Sequence, residues 1–305
     1  MESEFRAGAA KGRCRAGHPR ALRGAGVSDP RITPFNGRVA HVSLKGQVEA
    51  ERFVEGEVLR VTHVIADLCR APHGRRDRQL LSGQSFRVFD VQDEWAFGVS
   101  EYDGYCGWVV YGALFASEPS THRVWSRESF WRPEPDLKYD ALDVPKYLGS
   151  EVRVFHTVDN WSCVGPEQYM PSAHLRPVTD FDNDPVAVAR RLLGAPYVWG
   201  GNSGRGIDCS GLVQSAFRAC DVSCPGDSDL QMNMPGVALD EGEPLQAGDL
   251  LFWKGHVAMA TGPEAMIHAN AHHMAVVEEL TMPAIERIAA SDTGPVTLRL
   301  RPSVD

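Results

Sequence analysis

Cys209, His256 and His268 are the residues whose types and spacing could do chemistry together. Cys209 follows Asp208 at the end of a glycine-rich run that contains Gly200, Gly201, Gly204 and Gly206. Behind it Leu212, Val213, Ala216, Phe217 and Cys220 fall at offsets of 3, 4, 7, 8 and 11, the period of a helix with one buried face. Asp208 is a good N-cap for that helix. Cys209 is therefore expected in its first turn, where unpaired backbone N–H groups and the positive dipole end favour an anion. A thiol placed there is expected to have a lowered pKa and to react as the thiolate. Cys220, farther along the same stripe, reads as a core residue.

A nucleophilic thiol needs a base, and the base needs a group that holds its ring. His256 and His268 lie in consecutive β-like runs separated by the turn signal Thr261-Gly-Pro-Glu264. Both are equidistant from Gly262, so a hairpin centred there places them directly opposite, with Cβ atoms about 4.5–5.5 Å apart. A slip of one residue would put them on opposite faces. His272 and His273 fall in the turn before Met274 and read as solvated. Cys220 and Cys224 lack the paired CxxC or HxxxH spacing of a zinc site, so neither a metal nor a cofactor is expected.

The elements that must position these groups follow from local pattern. Asp184 and Pro185 suit the N-cap and first position of a helix whose apolar face is Val186, Val188, Ala189, Leu192 and Leu193, ended by Gly194. Strand-like runs follow at 249–253, 256–260, 265–269 and 275–279, a meander. Upstream, the runs 58–64, 85–91, 95–100 and 107–111 alternate with turn residues, as in a small barrel. Arg87-Val-Phe89 with Asp93 and Trp95 recurs as Arg153-Val-Phe155 with Asp159 and Trp161, an offset of 66 residues throughout. That repeat predicts two homologous β units. Arg132-Pro-Glu-Pro135 reads as a loop of the second. The expected organisation is a disordered tail over 1–30, an extension over 31–54 with a short helix near 47–53, β units over 55–118 and 119–178, and a last domain over 180–305.

Composition sets outer limits. At 305 residues and a net charge of −9 the chain is unlike a general nucleic-acid binder. No run of about 18 apolar residues suggests a membrane span. The first 26 residues are Arg- and Gly-rich without an apolar core and do not read as a secretion signal. With seven scattered cysteines, this predicts a cytoplasmic protein without disulfides.

Several motifs in order carry a family resemblance. Pro196-Tyr-Val-Trp-Gly-Gly201, Asp208-Cys-Ser-Gly-Leu-Val213, Gly248-Asp-Leu-Leu-Phe252, His256-Val and Ile267-His-Ala269 closely resemble the NlpC/P60 cysteine peptidases. Gln79-Leu-Leu and Asp103-Gly-Tyr-Cys-Gly-Trp108 resemble bacterial SH3 domains. The resemblance implies an α+β chain, with a circularly permuted papain-like catalytic domain behind two small SH3-like β-barrels. Such an arrangement is similar to the γ-D-glutamyl-L-diamino-acid endopeptidases. It implies hydrolysis of the γ-D-glutamyl to diamino-acid bond in murein peptides with a free N-terminal L-Ala. Cys209 would be the nucleophile, His256 the base and His268 the orienting residue. Tyr197 would assist the oxyanion, and Tyr105, Asp208, Ser210 and Ser228 would contact substrate. The chain departs from the family pattern at Ser82-Gly83-Gln84, and the nearest acidic residue to the family's amine clamp is Asp77. A cell-wall-peptide binding module with a vestigial peptidase domain, or an amidase or acyltransferase of the same superfamily, would share these motifs.

Overall fold

A computed structural model describes residues 29–139 and 143–303. Residues 1–28 of the expected tail lie outside the described residues. Asp29, counted with that tail, is already part of the fold, because its carboxylate accepts from Arg31 Nε at 3.0 Å. The expected helix near 47–53 is absent. The segment instead forms a 3-10 turn at Val42–Leu44 and a parallel pair, Val39–His41 with Arg52–Val54. Gly46 turns the chain at φ 80°, and the extended Arg52 reaches the buried Asp90 carboxylate at 3.1 Å. Asp90 also accepts from Asn36 and Arg38, so the extension is tied to the first β unit.

The first β unit is one seven-stranded sheet that runs from Glu57–Val61 to Leu114–Phe115. The strands Ile65–Cys69 and Arg76–Leu81 were not expected from the sequence. Their charged residues Asp67, Arg76 and Arg78 break up the apolar set of Ala66, Leu68 and Leu80 in the sequence, although Arg78 is itself buried beside them. The 66-residue repeat is real in the backbone. Asp93 and Asp159 each adopt φ 50° in a two-residue turn, between Gln92 and Trp95 and between Val158 and Trp161. Gly83 and Gly149, also one repeat apart, adopt φ 83° and 87°. Among the described residues, the second unit is nevertheless split into three small sheets rather than one.

The last domain sets helices against a six-stranded sheet. Helix α1 (Pro185–Arg191) starts as its sequence predicts, with Asp184 accepting from Val186 N and Ala187 N. Leu193, expected on its buried face, is 38% exposed, because Leu192 ends the helix and the chain turns at Gly194. Helix α2 (Cys209–Ala219) packs on α1 and on the sheet, with Leu212, Val213, Ala216 and Phe217 buried. Helix α3 (Ser228–Gln231) is one turn long, and α4 (Thr281–Ala289) follows the meander. The strands are β1 (Gly236–Ala238), β2 (Leu250–Trp253), β3 (His256–Ala260), β4 (Ala265–Asn270), β5 (Ala275–Leu280) and β6 (Leu298–Pro302). Their order across the sheet is β1-β6-β2-β3-β4-β5. Strands β2 to β5 are the expected meander; β1, β6 and α4 add its flanks.

The two β units meet at Gly83. A Cβ there would lie 1.9 Å from the Glu151 carbonyl oxygen, and the φ of 83° disfavours any L side chain. Gly83→Ala should therefore cost roughly 3 kcal/mol or more, from strain plus the clash. Gly104 also has positive φ but has open space around it, so Gly104→Ala should cost only about 1 kcal/mol. Thermal or urea melts of the two variants test this; equal losses would contradict the close approach of the units.

Candidate active site

Asp208 holds the start of α2. Its Oδ1 accepts from Gly211 N at 2.7 Å and from Ser210 Oγ at 3.0 Å, and its Oδ2 accepts from Gly200 N at 2.9 Å. One carboxylate thus caps the helix and fastens the glycine-rich loop to it. Cys209 is 6% exposed. The backbone amides of Val257, Ser210 and Cys209 favour its thiolate. Val257 directly follows His256, so the first turn of α2 and the start of β3 meet at the thiol. The expected lowering of the thiol pKa is not found. Burial, reinforced by the negative charge of Asp208, outweighs the three amides and pushes it up to about 12.

The histidine register also differs from expectation. Met259 pairs with Ile267 and Ala260 with Met266, which centres the turn on Pro263 rather than Gly262. Moving the centre by one residue moves each partner by two, which preserves the face of both side chains. The histidines are therefore diagonal neighbours, with His256 Nε2 and His268 Nδ1 2.8 Å apart.

Two residues that sequence reasoning missed continue this chain. His268 Nε2 lies 2.7 Å from Glu279 Oε1, on β5. Arg287, on α4, grips the same carboxylate through both Nη atoms at 2.7 and 2.6 Å. Burial would raise the Glu279 pKa, but the hydrogen bonds from Arg287 and His268 prevail and hold it at about 2. An ionised carboxylate only accepts, so His268 carries its proton on Nε2. Burial also lowers the His268 pKa, so the ring is neutral and its Nδ1 must accept. His256 therefore donates from Nε2 and keeps a bare lone pair on Nδ1. Burial first, then the charges of His268 and Arg287, bring the His256 pKa down to about 3.

Tyr197 borders the same space. It lines one cavity with His256 and His268, and burial first, then the charges of Cys209 and Asp208, push its phenol above the ordinary range. His272 and His273 are exposed, as their turn position suggests.

The remaining sequence candidates gather where the first β unit meets α2 and α3. Ser210 and Ser228 are buried, and Tyr105 is 1% exposed. The Tyr105 hydroxyl donates to Asp227 at 2.9 Å rather than to Asp208. Asp77 is taken by Arg70, whose Nη2 donates at 3.0 Å. Asp227 and the fully buried Arg78 were missed. Arg78 donates to Asn202 and Gln214, stands 3.7 Å from Asp103 and from Asp227, and acts on Asp208. Asp227 immediately precedes Ser228, so its position was the available signal; Arg78 lies in a strand without apolar alternation and gave none.

This geometry is matched by known proteins. The NlpC/P60 family model covers residues 194–289, and the model of the bacterial dipeptidyl-peptidase Sh3 domain covers 68–114. A γ-D-glutamyl-L-lysine dipeptidyl-peptidase of Bacillus cereus is 41% identical over 225 residues, 63% of this chain and 67% of the relative. The Bacillus subtilis protein of that name is 31% identical over 217 residues, 63% of this chain and 71% of the relative. The chain belongs to the NlpC/P60 family. A crystal structure of an NlpC/P60 family protein from Bacillus cereus has the same fold, with a TM-score of 0.66 at 22% identity over 80% of this chain and 99% of that one. This NlpC/P60 chain is thus a cysteine peptidase of circularly permuted papain-like α+β fold, with an SH3 domain ahead of it. The SH3 match falls within the first β unit alone.

In this NlpC/P60 peptidase both the thiol and His256 are neutral at rest. The difference in thiolate ultraviolet absorbance between the parent and Cys209→Ala should be absent near neutral pH and grow only as the pH approaches about 12. A thiolate signal already complete near neutral pH would contradict the resting state described.

Proposed function

We propose that the protein hydrolyses the γ-D-glutamyl to diamino-acid bond of peptidoglycan-derived peptides that begin with a free L-Ala. The observation that carries this is the convergence of Cys209, a base with a bare Nδ1, and an acidic pocket at the SH3 contact, in a chain related to γ-D-glutamyl-L-lysine dipeptidyl-peptidases.

In this reading the Cys209 thiol gives its proton to His256 Nδ1 as the sulfur attacks the γ-carbonyl carbon. The Cys209 N–H and the Tyr197 hydroxyl receive the oxyanion. Collapse expels the diamino-acid amine, which takes the proton from His256, and leaves a γ-glutamyl thioester. Water then attacks the thioester, loses its proton to His256 and returns Cys209 as the thiol. His268 holds the His256 ring and its tautomer throughout, as an orienting residue. No step needs a metal or cofactor.

The amine pocket follows from charge. Asp103, Asp208 and Asp227 act on the single buried guanidinium of Arg78, and Asp227 is further shared with Arg31 at 2.6 Å. Burial raises the Asp208 pKa despite Arg78, so a second cation beside it would be welcome. A substrate ammonium between Asp208 and the Tyr105–Asp227 pair supplies that cation, with Ser210 and Ser228 at its sides. The SH3 wall closes the pocket where Gly200 meets the Asp77 backbone, since a Cβ there would lie 2.6 Å from the Asp77 carbonyl oxygen.

Matched L-Ala-γ-D-Glu-diamino-acid peptides with free and acetylated amines test this. The free peptide should turn over roughly ten- to a hundred-fold faster, the worth of a charge-assisted hydrogen bond. Cys209→Ala should abolish turnover while the fold persists, and His268→Ala should retain a small fraction. Equal rates on both peptides would rule out the amine pocket, and an active Cys209→Ala would rule out the thiol mechanism.

A further inference from the structure

A cavity of about 440 Å³ opens beside His256, lined among others by Tyr197, His268, Asn270, His272, Arg287 and Thr293. Its lining, among the described residues, carries no acidic side chain. Asn270, the last residue of β4, is 7% exposed. Its Oδ1 accepts from His273 N at 2.8 Å, which fixes the orientation of the amide. Its Nδ2 is buried without a hydrogen-bond partner among the described residues. A buried amide donor left unpaired calls for an acceptor from outside the chain.

The neighbouring groups also offer donors. Each Nη of Arg287 directs one N–H at Glu279, so its Nε–H and outer Nη–H groups remain. Glu279 is saturated by Arg287 and His268. The end of α4 presents carbonyls here, but Ser291 N and Oγ both bond the Ile288 oxygen, at 3.0 and 2.7 Å. The exposed His272 adds a further ring N–H. The acyl half of a substrate points toward Asp208 and Tyr105, so the leaving residue must sit where His256 can protonate its amine. That place adjoins this cavity.

We infer that the cavity is the leaving-residue subsite and that it selects a free carboxylate on the leaving diamino acid; this rests on the γ-glutamyl reading above. The carboxylate would accept from Asn270 Nδ2, Arg287 and His272. Two sources share that chemistry: the α-carboxylate of a peptide that ends at the diamino acid, or the distal carboxylate of a diamino diacid.

Three peptides separate them: L-Ala-γ-D-Glu-L-Lys as the acid, the same peptide as its α-carboxamide, and L-Ala-γ-D-Glu-diaminopimelate as its α-carboxamide. For the unmodified enzyme, kcat/KM on the lysine acid should exceed that on the lysine amide by roughly ten- to a hundred-fold. Recovery with the diaminopimelate amide would assign the distal carboxylate as an equal source; no recovery would assign the α-carboxylate alone. Asn270→Asp keeps the acceptor for His273 N–H but turns a carboxylate to the cavity, and should abolish or invert the acid preference. Should that variant not fold, inhibition of the unmodified enzyme by free lysine against lysinamide reads the same preference. Equal kcat/KM on all three peptides would overturn the inference while leaving the γ-glutamyl reading intact, and a gain with the diaminopimelate amide alone would assign the distal carboxylate. No cleavage of any of the three peptides would overturn both.

Discussion

Glu279 is ionised, stands 2.7 Å from His268 Nε2, and has no proton to give. From that one constraint the protons along the chain are assigned. His268 must donate to Glu279 and accept from His256, which leaves His256 with an empty Nδ1. Arg287 makes the constraint hold by gripping both carboxylate oxygens, which keeps Glu279 ionised in a partly dry setting. Base, orienter, carboxylate and guanidinium come from β3, β4, β5 and α4, so the meander and the helix after it form one device.

The other half of the site depends on a second carboxylate. Asp208 caps α2 and also binds the amide of Gly200. It thereby ties the helix that carries Cys209 to the loop that touches the SH3 backbone. Arg78 crosses the same boundary from the SH3 side to Asn202 and Gln214, 2% exposed. A buried guanidinium with polar partners on both sides resists sliding of one surface over the other, because any displacement leaves a charge unpaired. The SH3 domain is thus fastened to the catalytic domain rather than an appendage.

Much of this was legible in the chain because it rests on local pattern. The offsets behind Cys209 read out the buried face of α2, and Asp184, Asp208 and Pro185 mark helix starts by capping chemistry that needs no tertiary partner. Strand alternation and a turn signal brought His256 and His268 to one face even though the turn centre was off by one. Long-range partners left no such trace. Glu279 is one of several acidic residues near a strand end, and only the pairing of β4 with β5 sets it beside His268. Arg78 reads as a surface charge until α2 covers it. The thiol pKa was misjudged for the same reason. The helix end is a local feature, whereas the burial that outweighs it comes from the core packed around α2.

The most direct measurement is the protonation of His256 itself. In the intact protein with 15N-labelled histidine, near neutral pH, the His256 Nε2 resonance should be that of a protonated ring nitrogen and the Nδ1 resonance that of a bare one. Glu279→Gln should disturb both, because a Gln side chain can donate as well as accept. A His256 ring protonated on both nitrogens, or bare at Nε2, would contradict the account at its centre.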